Sequence, residues 1–151
     1  MRTHIVAVGR LKRGAEASLY DYFADRVRPP IQLHEVEDRK ADDKSRRKRE
    51  AELITAAIPD RATIVALDET GRNLTSREFA KRLSHWRDTG TNELVFIIGG
   101  ADGLTDEIRN KATLVMSFGK STWPHLLVRG MLAEQLYRAQ QIHAGHPYHR
   151  D

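Results

Sequence analysis

Residues 94–104 read Leu94-Val95-Phe96-Ile97-Ile98-Gly99-Gly100-Ala101-Asp102-Gly103-Leu104. An unbroken run of five apolar residues, stopped at once by glycines, predicts a strand covered on both faces, as in a parallel sheet. Three glycines in the next five residues allow positive φ angles in a tight turn, or a close approach of backbone to a ligand. An ordinary strand-to-helix turn satisfies the same residues. The spacing is not the dinucleotide fingerprint, because G-x-G-x-x-G would need glycine at Ile98.

The same pattern repeats outward from this stretch. Short apolar or β-branched runs at 5–8, 31–36, 64–67 and 114–118 read as four further strands. Helical spacing fills the gaps. Leu19, Phe23 and Val27 recur every four residues, and Leu53, Ile54, Ala57 and Ile58 close a second helix. Phe79, Leu83 and Trp86 form a buried stripe, with Thr75 and Glu78 as a capping box at its start. A short helix follows Thr105, and a long one runs from about residue 126 to 142. Alternating strands and helices predict right-handed crossovers and an α/β fold with a mostly parallel, Rossmann-like sheet. Ligands in such sheets sit at the carboxyl ends of strands, here the loops after Leu67, Ile98 and Phe118.

Length and composition limit the possible chemistry. At 151 residues the chain is one domain, 1–151, and buries roughly 70% of its unfolded surface. It has no cysteine, which excludes disulfides, thiolate zinc, iron–sulfur clusters and a cysteine nucleophile. No apolar run approaches the ~20 residues of a membrane span, and none resembles a signal-peptide core. A soluble cytoplasmic protein with no membrane partner is expected. Lys and Arg number 25 against 21 Asp and Glu, a net charge of +4. Residues 39–49 concentrate seven basic and two acidic side chains, which suits either a solvated helix face or contact with nucleic acid.

The loop after the fifth strand is Phe118-Gly119-Lys120-Ser121-Thr122-Trp123-Pro124. Gly119-Lys120-Ser121 imitates the end of a Walker A loop. The motif would need glycine at Leu114, inside a strand, and Pro124 prevents a helix from starting immediately. Trp123 is available to stack on a planar ligand, although filling the core is the commoner fate of a lone tryptophan. His143-x-x-His146-x-x-His149 has a metal-ladder spacing, but Gly145 and Pro147 break the helix that would carry it, so no metal is expected.

Four segments in order carry a family resemblance: the stretch from Val95 to Leu104, then Trp123-Pro124-His125-Leu126-Leu127-Val128-Arg129, then Glu134-Gln135-Leu136-Tyr137-Arg138-Ala139, and last His146-Pro147-Tyr148-His149-Arg150. Ile5-Val6-Ala7-Val8-Gly9 and Val65-Ala66-Leu67-Asp68 match as well. The chain resembles the SPOUT-class ribosomal large-subunit RNA methyltransferase H family. That resemblance implies a C-terminal trefoil knot, S-adenosylmethionine as methyl donor, and a homodimer with its cofactor sites near the subunit interface. The substrate implied is ring nitrogen 3 of a pseudouridine in 23S ribosomal RNA, within the assembled ribosome. A non-catalytic RNA-binding module is the alternative. By position, the cofactor residues are Leu67, Gly99, Gly100, Phe118, Gly119, Lys120, Ser121, Thr122 and Trp123. For the RNA step the tail offers His149 as proton acceptor, Tyr148 to stack on or hydrogen-bond the base, and Arg150 for phosphate or the developing oxyanion.

Overall fold

The computed structural model describes residues 1–40 and 44–148. Five strands, β1 (Arg2–Val8), β2 (Gln32–Val36), β3 (Thr63–Asn73), β4 (Glu93–Ile98) and β5 (Leu114–Ser117), form one sheet. Its order is β2-β1-β4-β3-β5, and every pairing is parallel. β4 lies in the middle and all six of its residues are buried, as the apolar run predicted. Between the strands run α1 (Ala15–Ala24), α2 (Arg46–Ala57), α3 (Ser76–Asp88) and α4 (Asp106–Lys111), and α5 (His125–Ala144) follows β5.

Alternation along the strands divides the core in two. Ile5, Ala7, Leu94, Phe96 and Ile98 face Tyr20, Phe79, Leu83, Trp86, Leu132 and Leu136, so α1, α3 and α5 cover one side. Val6, Val8, Val95 and Ile97 face Ala51, Ile54 and Ile108 from α2 and α4. A period of two sends neighbouring side chains to opposite faces, so an unbroken apolar run supplies both layers. The capping box forms as read: Glu78 N–H donates to Thr75 Oγ1 at 3.1 Å, and Thr75 N–H donates to Glu78 Oε2 at 2.7 Å.

Three local readings need correction. α1 stops at Ala24, and Val27 reaches the core from a turn, its N–H on Ala24 O, because the prolines at 29 and 30 disfavour continued helix. Leu53 is exposed, since α2 turns Ala51 and Ile54 toward the sheet and leaves Leu53 on the far face. β3 extends six residues beyond the expected run. Its register against β5 shifts between Leu67 and Arg72. A Cβ at Gly71 would lie 2.7 Å from the backbone of Met116, so only glycine lets the strand rejoin there. The bulge lifts Asp68, Glu69 and Thr70 out of the ladder.

At the opposite end of the sheet, Glu93 accepts from His4 Nε2 at 2.6 Å and also pairs with Arg2. The other ring nitrogen of His4 meets His34 Nε2 at 3.1 Å, with the rings stacked. Burial, then the neighbouring His4, holds His34 below the usual histidine value. A depressed folded value means that the unfolded chain takes up the proton first. Stability is therefore full above about pH 6.5 and declines as pH falls below it. The melting temperature should drop between pH 7.5 and 5.5, and His34→Gln should make that drop shallower; equal slopes in calorimetry would exclude His34 as a source.

Candidate functional site

A cavity of about 740 Å³ opens at the carboxyl ends of β3, β4 and β5, where the three loops meet. Leu67, Gly99, Gly100, Phe118, Gly119, Ser121, Thr122 and Trp123 all line it. Lys120 belongs to the same loop, but its exposed side chain is not part of the wall.

The glycine loop is a close-packed cradle. A Cβ on Gly99 would lie 3.0 Å from the backbone of Gly103, and one on Gly100 would lie 2.9 Å from Val8 Cγ1. Gly103 N–H donates to Gly100 O at 3.0 Å and adopts φ +75°, closing the turn. The loop ends at Leu104, whose carbonyl accepts from Arg109 Nη1 at 2.6 Å and from Arg47 Nη2 at 2.7 Å. Arg109 also pairs with Asp106 and with Asp68, the latter at 3.3 Å. Burial pushes the Asp68 carboxyl up, but the Thr70 hydroxyl and amide together with Arg109 outweigh it and hold it below the usual range. One guanidinium thus ties the β3 bulge to the glycine loop.

The third loop is held by Ser117. Its hydroxyl donates to Gly119 O at 2.6 Å and accepts from Gly119 N–H at 3.0 Å, around a glycine at φ +114°. Thr122 donates to Glu69 at 3.0 Å, linking this loop to the bulge. Trp123 does not fill the core. It is 43% exposed, with Nε1–H on Phe118 O at 3.3 Å, because Pro124 turns the chain into α5 directly behind it. His125, the first residue of α5, also lines the cavity; burial, then Arg129, holds its imidazole below the usual value.

Tyr148 packs elsewhere. Tyr148 donates to Glu134 Oε1 at 3.1 Å, under the Arg138 guanidinium and edge-on to Tyr137. Tyr148 does not line the cavity of its own chain. His149 and Arg150 lie outside the described residues. His143 sits against α3, its Nε2 at 2.7 Å from Ser84 Oγ and 2.9 Å from Ala80 O. Among the described residues no group of side chains could hold a metal ion.

Sequence reasoning missed Asp68, Arg109, His125 and Glu50 as parts of this site, and flagged Arg47 only within the basic run 39–49. Asp68-x-Thr70 before Gly71 was the available signal for the bulge. Glu50 carried none: it is buried on α2 with Oε2 unpartnered among the described residues, close against Gly100. Burial, then Asp102, pushes its carboxyl above the usual range. A raised folded value gives stability that is full at low pH and is lost as pH climbs through the folded value. Glu50→Gln, which imitates the protonated acid, should therefore stabilise the fold at pH 8 by about 1 kcal/mol and be neutral near pH 4. A variant equally or less stable at pH 8 in denaturant melts would contradict this.

The comparisons agree with the geometry. Residues 1–149 match the family described as "Predicted SPOUT methyltransferase". The chain is 53% identical over 151 residues to the ribosomal RNA large subunit methyltransferase H of Rhodospirillum centenum, covering 99% of both chains. It is 51% identical to that of Paramagnetospirillum magneticum, with the same coverage. In fold it is similar to a probable methylase family protein from Haemophilus influenzae, with TM-score 0.60 and 14% identity, over 99% of this chain and 70% of that one. Matched from end to end, with its glycine cradle and third loop meeting at one cavity, the chain belongs to the SPOUT methyltransferases, in the family of the ribosomal RNA large subunit methyltransferases H.

Proposed function

We propose that the protein transfers the methyl group of S-adenosylmethionine to ring nitrogen 3 of a pseudouridine in 23S ribosomal RNA, acting on the assembled ribosome. The observation that carries this reading is the single cavity bounded by the three strand-end loops that the family uses for its cofactor. Gly99 and Gly100 both line the cavity, and their lack of a Cβ lets the loop pack down on Val8, Glu50 and Gly103 with its backbone forming the wall. The loop packs closely on the protein itself: a Cβ at Gly99 would meet Gly103 and Leu104, and one at Gly100 would meet Val8 and Glu50. Bound S-adenosylmethionine supplies an electrophilic methyl on sulfur. The protein's share is to align the acceptor nitrogen, exclude water and receive the proton that leaves the ring. Leu67 and Phe118 furnish apolar wall, and the segment of Gly119, Lys120, Ser121, Thr122 and Trp123 forms the loop around the ligand.

The tail is assigned the RNA step, with His149 taking the ring proton, Tyr148 contacting the base and Arg150 holding phosphate or the developing oxyanion. A homodimer is part of the same reading. Leu127, Val128, Met131 and Tyr137 are only partly buried along α5, while Leu132 and Leu136 reach the core. That leaves apolar surface suited to a second copy. The C-terminal knot and a cytoplasmic location complete what the family implies. No helix among the described residues is long and apolar enough to cross a membrane.

Labelled cofactor with ribosomes lacking the modification should yield one methylated pseudouridine, located by mass mapping. Gly100→Ala, whose Cβ would press on Val8 and Glu50, should shift the loop and weaken cofactor binding roughly tenfold in calorimetry; unchanged affinity in the folded variant would remove the cofactor from this loop. Deleting residues 148–151 should abolish methylation with cofactor affinity nearly intact, and near-normal single turnover by the truncated protein would take the tail out of the reaction.

A further inference from the structure

Glu50, 5% exposed on α2, stands directly behind the glycine loop. A Cβ on Gly100 would lie 3.2 Å from its Oε2 and 3.4 Å from its Oε1, so both oxygens lie against a residue that lines the cavity. No hydrogen bond among the described residues reaches Oε2. A buried carboxyl in that condition is unfavourable, and an amide of the same size would relieve the fold of it. Its charged neighbours do not compensate. Asp102 on the glycine loop and Asp38 after β2 repel a charge here, while Arg46 and Arg49 on α2 attract it. Arg49 is also bound to Asp38, at 2.7 Å. Burial, then Asp102, prevails, and the carboxyl keeps its proton to higher pH than a glutamate in water. An acid that burdens its own surroundings, set behind the wall of a ligand cavity, points to a role toward the ligand.

We propose that Glu50 is a specificity-determining residue whose carboxylate, acting through the backbone of Gly100, makes the cavity prefer cationic S-adenosylmethionine to its product. This rests on the reading that S-adenosylmethionine is the methyl donor. The two ligands differ by one methyl group and one positive charge. Loss of the methyl leaves the bonding pair on sulfur, so the sulfonium becomes the uncharged thioether of S-adenosylhomocysteine. A cavity of about 740 Å³ is roughly 11 Å across if round, comparable with the ~10 Å over which 0.1 M salt screens a charge. A charge just behind its wall is therefore felt by whatever the cavity holds. Burial keeps water away from Glu50, whereas Asp102 is exposed and more fully screened. The preference requires the ionised acid. A cation in the cavity thus favours release of the Glu50 proton, and by linkage the preference grows as pH climbs through the raised value. Below that value the carboxyl is neutral and the preference is lost.

The test is calorimetry with each of the two ligands from about pH 5 to 7, below the ionisation of an ordinary α-amino group. Buffers of different ionisation enthalpy count the protons released on binding. Glu50→Gln should weaken S-adenosylmethionine roughly fivefold at pH 7 and leave S-adenosylhomocysteine within about twofold. Glu50→Asp, which keeps the charge, should restore most of the preference. The unaltered protein should release part of a proton on binding S-adenosylmethionine and none on binding S-adenosylhomocysteine; Glu50→Gln should release none with either. Asp102→Asn should move that release to lower pH, because it removes a charge that raises the Glu50 value. If Glu50→Gln weakens both ligands equally, Glu50 holds the shape of the loop and the proposal falls. If it changes neither affinity, the cavity does not feel the charge and the proposal falls equally. Failure of the unaltered protein to bind either ligand would overturn the cofactor reading, a result distinct from both.

Discussion

The Arg129 guanidinium is fully buried, and the end of the molecule that holds the cavity is organised around it. It donates to Val8 O at 2.9 Å, Gly9 O at 2.6 Å and Glu35 Oε2 at 2.6 Å, so one side chain of α5 joins the ends of β1 and β2. Glu35 also accepts from Leu11 N–H at 2.7 Å, which fastens the loop after β1. Burying a cation costs several kcal/mol unless its donors are matched. Here three acceptors converge on it and only Nε lacks a partner among the described residues. Because α5 begins directly at the third loop, anchoring it one turn in also fixes where Pro124 and His125 stand against the cavity. A truncation at Arg129 would therefore disturb the site without touching a ligand.

The electrostatics of the site follow a simple division. Arg109 is neutralised by two carboxylates and serves as a tie between bulge and glycine loop. Arg47 meets the Leu104 carbonyl and no carboxylate among the described residues. Glu50 sits behind the loop against Gly100, with one oxygen unpartnered among the described residues. The cavity wall thus combines the glycine backbone and apolar Leu67, Ile98 and Phe118 with charged Arg47, Asp68 and Arg109.

How much of this was legible depends on whether a signal was local. The strands at 94–98 and 5–8 were readable because burial on both faces demands uninterrupted apolar residues, and the loops followed because sheet geometry puts ligands at strand ends. Thr75 and Glu78 were readable because their partners lie within one turn. Arg129 looked like any surface cation, since its acceptors are 94 to 121 residues away in sequence. Asp68-x-Thr70 before Gly71 could have signalled a turn in β3, but the approach of Gly71 to Met116 that returns it to the sheet is long-range. Trp123 was open between a planar ligand and the core by its residues, and entered the cofactor loop only by resemblance; it is half-exposed beside Pro124 at the start of α5. The tail's assignment came from resemblance; composition says nothing of its chemistry.

The strand order has a consequence for how the chain acquires its shape. β1 and β3 never touch; both pair with β4, which is made from residues 93–98. A nascent chain that has exposed its first ninety residues holds a β1–β2 pair and an unattached β3, with the slot between them vacant. Those open edges offer backbone groups to any passing strand until the middle one arrives. Closure then joins both halves in a single event at large sequence separation, which slows folding and makes it cooperative. During synthesis the protein must hold two incomplete pieces apart until nearly two-thirds of it has emerged.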